Sequence, residues 1–506
     1  MTSKLKPVLL RTGLGFFLFM TGVSVINVLL FPFARALYGY PFMALLCAAA
    51  AALVLFMLAG RALSRIPEKR LARFSRFAVP AWLAAAFAVQ LIMGFLLEYE
   101  PLGDNLMLYY GGQMLARDGS FAANPDYGLY LARFSNQWGF LLILTGIFRL
   151  LFFFGISNPF FPLVCLQAVL YFLALSLLLH DTGKRFGVRT QLMLLLMLAC
   201  TFPLYISAAV LYTDTFSLPF VIFALSCALR VHDASSLRGK LFWALLCGLS
   251  AFLGGQIKMT VAIALIAALL WWLFSLRIGH ALLCGFVSFS ILIGGTAAVQ
   301  EFTLDHVLDR AVYEQENTPV IHWFMMSIPT SENPYGGYYG DYGETWGMMD
   351  EGATHDEVMA SIYRRIRDRI YTLRYPDRFA SAALHRDSAI MGDGSFGMTE
   401  MLDDRPVRRN AVSEIVLSDG AFHPVYLLLT TGIWLAQLCL ACLCCVRDIR
   451  RRDLRRAVFY ISCVGILLFL MLWEVHSRYL YNFVPVFLLL SACGAMPEDK
   501  QKGDQV

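Results

Sequence analysis

Along the chain, apolar runs of roughly 20 residues, long enough to cross a bilayer as helices, alternate with short polar connections. The pattern predicts spans near 13–33, 41–60, 77–97, 159–180, 190–210, 215–231, 241–257, 259–276, 281–300, 424–446, 457–473 and 479–495. It describes an all-α polytopic membrane protein of about 12 transmembrane helices. Two stretches break the rhythm. One is EYEPLGDNLMLYYGGQMLARDG, residues 98–119, where Pro101 and Gly103 force a turn ahead of a short polar helix. The other is a polar segment at 301–423. Within it, THDEVMASIYRRIRDRIYTLRYPDRF predicts one amphipathic helix starting at Thr354 or Asp356, with Val358, Ile362, Ile366 and Ile370 on its apolar face. NPYGGYYGDYGETWG reads instead as an ordered loop on the membrane surface, rich in Gly, Tyr and turn residues.

Composition agrees with the pattern: 58% of residues are hydrophobic and 15% charged. The net charge of +5 does not form a nucleic-acid stripe, because the Lys and Arg residues fall in short loops between apolar runs. Their distribution predicts orientation. Arg61, Arg65, Lys69, Arg70, Arg73 and Arg76 form one basic cluster and Arg447, Arg450, Arg451, Arg452, Arg455 and Arg456 another, and both belong on the cytoplasmic side. Residues 98–157 and 301–423 then face outward, and the second of these contains no Lys. The run WGFLLILTGIFRLLFFFGI, residues 138–156, is expected to lie in the membrane plane or re-enter, since letting it cross would carry Lys184, Arg185 and Arg189 outward. The N-terminal MTSKLKPVLLRTGLGFFLFM reads as a retained signal anchor. The 12 Cys sit almost entirely in apolar runs and read as small lining residues. No internal repeat and no broken helix is evident, features that transporters commonly show. The chain divides into N-terminal helices (1–97), an outer loop with in-plane helices (98–157), central helices (158–300), a mostly helical extracytoplasmic domain (301–423), and C-terminal helices with a cytoplasmic tail (424–506).

Ionisable groups beside apolar spans are costly unless they pair or face water, so they mark candidate sites. Asp104 stands at the head of DNLMLYYGGQML, where it would either cap the helix or act as a base. Asp214 in LYTDTFSLPF has the same two readings. Arg478 in LWEVHSRYLYNF, with Glu474, His476 and Tyr479 nearby, and Lys258 in GGQIKMTVAI would either snorkel or hold a phosphate. Glu98, Glu100, Arg117 and Asp126 read as markers of the water boundary. Together these residues suit sugar transfer from a lipid phosphate. Asp104 and Asp214 are the catalytic candidates, Arg478, Lys258 and His476 the phosphate binders, and Tyr109, Tyr212 and Glu474 the acceptor or sugar contacts.

The stretches PLGDNLMLYYGGQMLARDG, the YTD turn and EVHSRYLYNFVPVFLLL resemble the GT-C superfamily of membrane glycosyltransferases, which includes protein mannosyltransferases and the aminoarabinose transferase. HWFMMSIPTSENPYGGYYGDYGETW and RDSAIMGDGSFG are similar to segments of its Gram-positive bacterial members. The resemblance implies a polyprenyl-phosphate sugar donor and a polysaccharide, lipid or protein acceptor outside the cytoplasmic membrane. Asp104 would match the family's catalytic acidic residue in the first loop. Relatives often carry an acidic pair there, whereas Asn105 follows Asp104, which weakens the case for a divalent metal. The alternative expectation is a lipid-linked oligosaccharide flippase or other multi-pass transporter.

Overall fold

The computed structural model describes residues 5–403 and 405–497, so the basic lead at 1–4 and the end of the expected cytoplasmic tail at 498–506 lie outside the described residues. The described chain is all-helical and has no strand, only an isolated bridge between Tyr99 and Pro406. Among the described residues, ten helices are long and apolar enough to cross a membrane. One of them, Ser135–Phe153, is the segment expected to lie in the plane, and the others coincide with expected spans. The remaining expected spans are a bent pair, Val188–Cys200 with Pro203–Ala209, and two shorter helices, Met259–Ser275 and Ala457–Leu472.

The basic loops share one end of the bundle. A cavity of about 430 Å³ there is lined by Arg185, Arg189, Arg447 and Arg456, beside Ser64 and Glu68 from the first basic turn. Leu97, Tyr212 and Gln256 mark the opposite end, which also carries residues 307–403 and 405–422. The helix Trp138–Phe153 begins there: Trp138 packs on Tyr313 at 5.0 Å between ring centroids, and Gln137 donates to the Tyr212 hydroxyl at 3.4 Å. It is followed by Phe160, whose ring lies 6.0 Å from Tyr99. The chain therefore enters and leaves this segment at the same end.

The bend between Cys200 and Pro203, 69° in size, departs from the expected unbroken span at 190–210. Thr201 leaves the helical region with ψ 82°, and Pro203, which has no N–H to donate, opens the next helix at its first position. Three buried glutamines meet the polar groups around the break. Gln90 donates to the Leu204 carbonyl at 2.8 Å, Gln167 to that of Ser207 at 2.7 Å, and Gln437 to the Thr201 hydroxyl at 3.3 Å. Satisfying such groups internally is what makes irregular backbone tolerable away from water.

Two expectations within 301–423 need correction. The stretch 354–379 is not one helix but two, His355–Thr372 and Pro376–Met391. The first is closed at its start by a reciprocal Thr354–Glu357 capping box and buries Val358, Ile362 and Ile366, but Ile370 is exposed. The break follows from Pro376: Tyr375 before it is extended, with ψ 126°. NPYGGYYGDYGETWG is a loop only in its first half, because Gly340–Asp350 is helical and packs Met349 against Val358 and Ile362 in a small satellite core.

This outer region is pinned to the bundle by polar contacts. The buried Arg386 guanidinium donates to the carbonyls of Ser327, Tyr335, Leu470 and Trp473, joining loop and helix end through one side chain. Asp387 accepts from Ser24 at 2.5 Å and Asn27 at 2.8 Å in the first helix.

Candidate functional site

Asp104 lies in the first turn of Gly103–Asp118, after Gly103 with φ +55°. That helix has no side-chain cap. The Asp104 carboxylate instead accepts from the Tyr130 hydroxyl at 2.9 Å and the Tyr212 hydroxyl at 3.2 Å. Among the described residues, no Lys or Arg forms an ion pair with it. Asn105 turns away to the Tyr99 hydroxyl, so the neighbouring residue adds no second carboxylate to Asp104.

Asp214, in the first turn of Thr213–Asp233, does not cap its helix either. It is buried, receives the Lys258 ammonium on Oδ1, and has Oδ2 3.8 Å from Arg478 Nε. Neither that oxygen nor that nitrogen has a hydrogen-bond partner. The Arg478 guanidinium faces the rings of Tyr212 and Tyr479, 5.6 and 5.3 Å from their centroids, and Nη1 donates to the Met401 sulfur at 3.0 Å. Lys258 sits 3.9 Å from the Tyr479 centroid. Cation–π contact steadies a charge and leaves its hydrogen bonds unused. Tyr212 joins the two halves of the site, with its hydroxyl on Asp104 and its ring under Arg478.

Beside Arg478, Glu474 accepts from the Tyr479 hydroxyl at 3.0 Å, and His476 lies between Glu474 and Glu400 at 3.6 and 3.8 Å. The Tyr339 hydroxyl is 2.8 Å from His476 Nε2. Burial pushes the Glu474 pKa up, but His476, Arg478 and the Tyr479 hydroxyl outweigh it and hold the carboxyl at about 2. Burial opposes a charged His476, and contact with Glu400 and Glu474 outweighs that, leaving its pKa raised. The His476 charge is thus matched by carboxylates.

The RDSAIMGDGSFG motif holds this segment in place. Asp393 accepts from the backbone N–H groups of Ser395 and Gly397, both at 2.7 Å, and from the Ser477 hydroxyl at 2.8 Å. Gly397, at φ +66°, sits against the Arg478 Cβ with no room for a side chain.

Seven of the eight sequence candidates therefore converge: Asp104, Asp214, Lys258, Arg478, His476, Glu474 and Tyr212. Tyr109 does not. It is five residues beyond Asp104, about 140° around the helix, and packs on Phe148 and Tyr110 at 5.6 and 5.1 Å. Sequence reasoning missed Tyr130, Tyr339, Glu400 and Met401. An aromatic residue in the amphipathic helix Pro125–Arg133 carries no signal that separates it from packing. Among the described residues, no group of three His, Cys, Asp or Glu side chains converges as a metal site.

The ten apolar helices and the ionisable cluster at one end define an integral membrane protein. More narrowly, the chain belongs to a family described as conserved hypothetical integral membrane proteins, whose sequence profile matches residues 122–496. The matched region contains Asp214, Lys258, Glu474, His476 and Arg478 and begins after Asp104. No curated protein matches the chain.

Proposed function

We propose that this protein is a GT-C-like glycosyltransferase of a bacterial cytoplasmic membrane, moving a sugar from a polyprenyl-phosphate donor to a cell-envelope acceptor on the outer face. The observation that carries this reading is a half-buried carboxylate, Asp104, with no cation paired to it among the described residues, linked through Tyr212 to an arginine with hydrogen-bond capacity to spare. In the reaction, an acceptor hydroxyl oxygen forms a bond to the anomeric carbon as the bond from that carbon to the phosphate oxygen breaks. Asp104 takes the hydroxyl proton. The phosphate leaves with the bonding pair, and Arg478 and Lys258 stabilise its charge. Asp214 orients both cations. Glu474 fixes Tyr479 beneath them, and His476 positions Glu474.

Orientation follows the arginine-rich end, which is placed in the cytoplasm by the excess of basic residues at its loops. The chain then crosses about 12 times, with the helices Gly103–Asp118 and Trp138–Phe153 along the outer surface. A cysteine at Thr182, in a variant without other cysteines, should react only with probe admitted to the cytoplasmic side. Labelling from outside alone would reverse that frame.

The bent Val188–Cys200 pair favours a second reading, a lipid-linked oligosaccharide flippase or other transporter, since broken helices build transport sites. The glutamines that fill this break argue for a static seam. Purified protein in liposomes separates the readings: polyprenyl-phosphate sugar plus envelope glycan acceptor should yield glycosylated acceptor and free polyprenyl phosphate. Movement of the donor between leaflets with no bond cleaved would favour the transporter.

A further inference from the structure

An aromatic wall runs from Asp104 to His476. The Tyr130 hydroxyl meets Asp104, the Tyr130 ring lies 4.6 Å from Phe134, and Phe134 lies 5.8 Å from Tyr342. Tyr342 lies tilted against Trp346 at 4.8 Å and stacks on Tyr339 at 6.2 Å, the latter with the ring planes only 19° apart. Most of these rings are buried or half-buried, but Tyr339 is 57% exposed. An exposed tyrosine is normally mobile; this one is tethered through its hydroxyl to His476. Ordering the ring in advance removes an entropy cost that a ligand would otherwise meet. The wall is bounded by carboxylates, Asp104 against Tyr130 at one end and Glu474, across His476 from Tyr339, at the other.

We infer that the exposed Tyr339 ring, backed by the half-buried Tyr342, is a saccharide subsite, so that the acceptor presented to Asp104 is a glycan and not a peptide or a bare lipid. The inference rests on the glycosyltransferase reading for the direction of chemistry, but the binding itself does not. A sugar ring has an apolar C–H face that covers an aromatic ring and hydroxyls around its edge that reach flanking carboxylates. An aromatic floor with a few placed polar groups is the pattern of a selective small-ligand site. An acyl chain would cover the rings but offer no donor to the remaining acceptor capacity of the Asp104 and Glu474 carboxylates. The helix Gly340–Asp350 supplies Tyr342 and Trp346, and the Gly336–Gly337 turn, with φ +89° and +79°, brings Tyr339 back over the bundle.

The test uses the full chain in lipid nanodiscs with no donor present. Neutral, N-acetylated and uronic-acid pentasaccharides, and a Gly-Ser pentapeptide, are titrated while tryptophan fluorescence is followed. At least one saccharide should give a saturable change and the peptide none. Tyr339→Ala should weaken that binding about tenfold, and Tyr339→Phe, which keeps the ring but loses its tether to His476, should fall between Tyr339→Ala and the wild type. Absence of a response to every saccharide, or equal binding by Tyr339→Ala, overturns the inference. Because the donor is absent, saccharide binding without any sugar transfer in liposomes would sink the glycosyltransferase reading and leave the subsite standing. Transfer without saccharide binding at Tyr339 would do the reverse.

Discussion

The two ends of the bundle both bury charge, but they treat it differently. At the arginine-rich end every buried acid is saturated. Asp181 accepts from Ser226 at 2.6 Å and from both Nη atoms of Arg230 at 2.9 and 2.8 Å. Asp448 takes the Arg456 guanidinium through two nitrogens and the Tyr460 hydroxyl at 2.9 Å. At the opposite end Asp104 has two phenols and no cation, and Asp214 Oδ2 and Arg478 Nε lie 3.8 Å apart with neither hydrogen-bonded. A buried ion pair that only holds a fold must satisfy its donors and acceptors, because unsatisfied charge in a low-dielectric interior is costly. Among the buried acids, acceptor capacity left unused at one end and filled at the other separates a site from a strut.

A crossed pair of substitutions tests that separation most severely. Asp104→Asn keeps the shape and one acceptor for the tyrosine hydroxyls but cannot take a proton, so transfer should fall about a hundredfold or more at unchanged thermal stability. Asp448→Ala should do the opposite. Breaking a buried pair by removing one partner costs about 3–5 kcal/mol, seen as a lower unfolding temperature and yield, while the protein that remains folded transfers at the normal rate. If Asp104→Asn destabilises the fold as much as Asp448→Ala and leaves transfer intact, the two ends do not differ in kind.

The next effect in size falls on donor affinity. Arg478→Ala removes a cation whose unused N–H groups would meet the phosphate, a loss of about 1.5–3 kcal/mol, or roughly 10- to 150-fold in Kd. Lys258 remains to pair Asp214, so the fold should hold. Arg230→Ala, at the saturated end, should leave donor Kd unchanged. Binding of polyprenyl-phosphate sugar to the two variants, measured side by side, decides whether phosphate capture belongs to one end alone.

Asp214→Asn should act more weakly on the rate than Asp104→Asn, because it unbalances Lys258 and Arg478 without removing the proposed base. A loss in transfer rate equal to that of Asp104→Asn would exchange the roles of the two acids.

Much of this contrast was legible in the chain because a bilayer is a demanding solvent. Apolar length identifies spans and basic loops sort them, and an Asp beside a span must pair or serve, which is why Asp104, Asp214 and Arg478 stand out from sequence alone. Their partners do not stand out. Tyr130 and Tyr339 acquire meaning only when Pro125–Arg133 and the Gly336–Gly337 turn fold back over Asp104 and His476, contacts made across long stretches of chain. The capping roles open to both acids were settled by geometry, since neither side chain caps its helix. Pro203 and Pro376 lay in plain sight, and each opens a new helix where apolar periodicity alone had continued the old one.

The smallest expected effect concerns His476, the one residue of the cluster whose charge can change near neutral pH. Its folded pKa is raised because Glu400 and Glu474 outweigh its burial, so what the imidazolium contributes is fully present below its ordinary value of about 6.5 and is lost as pH rises through the folded value. Glu474 works in the other direction. Held at about 2, its contribution is present above the ordinary carboxylate range and disappears only as pH falls through that value. Between these limits the tether of Tyr339 to His476 and the placement of Tyr479 by Glu474 are intact. Transfer should therefore lose a fewfold in kcat/KM on the alkaline side, where neutral His476 no longer balances the two glutamates, and His476→Gln should remove that alkaline limb while lowering the plateau. At the arginine-rich end the buried acids pair with arginine instead, Asp448 with Arg456 and Asp181 with Arg230. An alkaline limb that persists unchanged in His476→Gln would assign it to another group and leave His476 as packing.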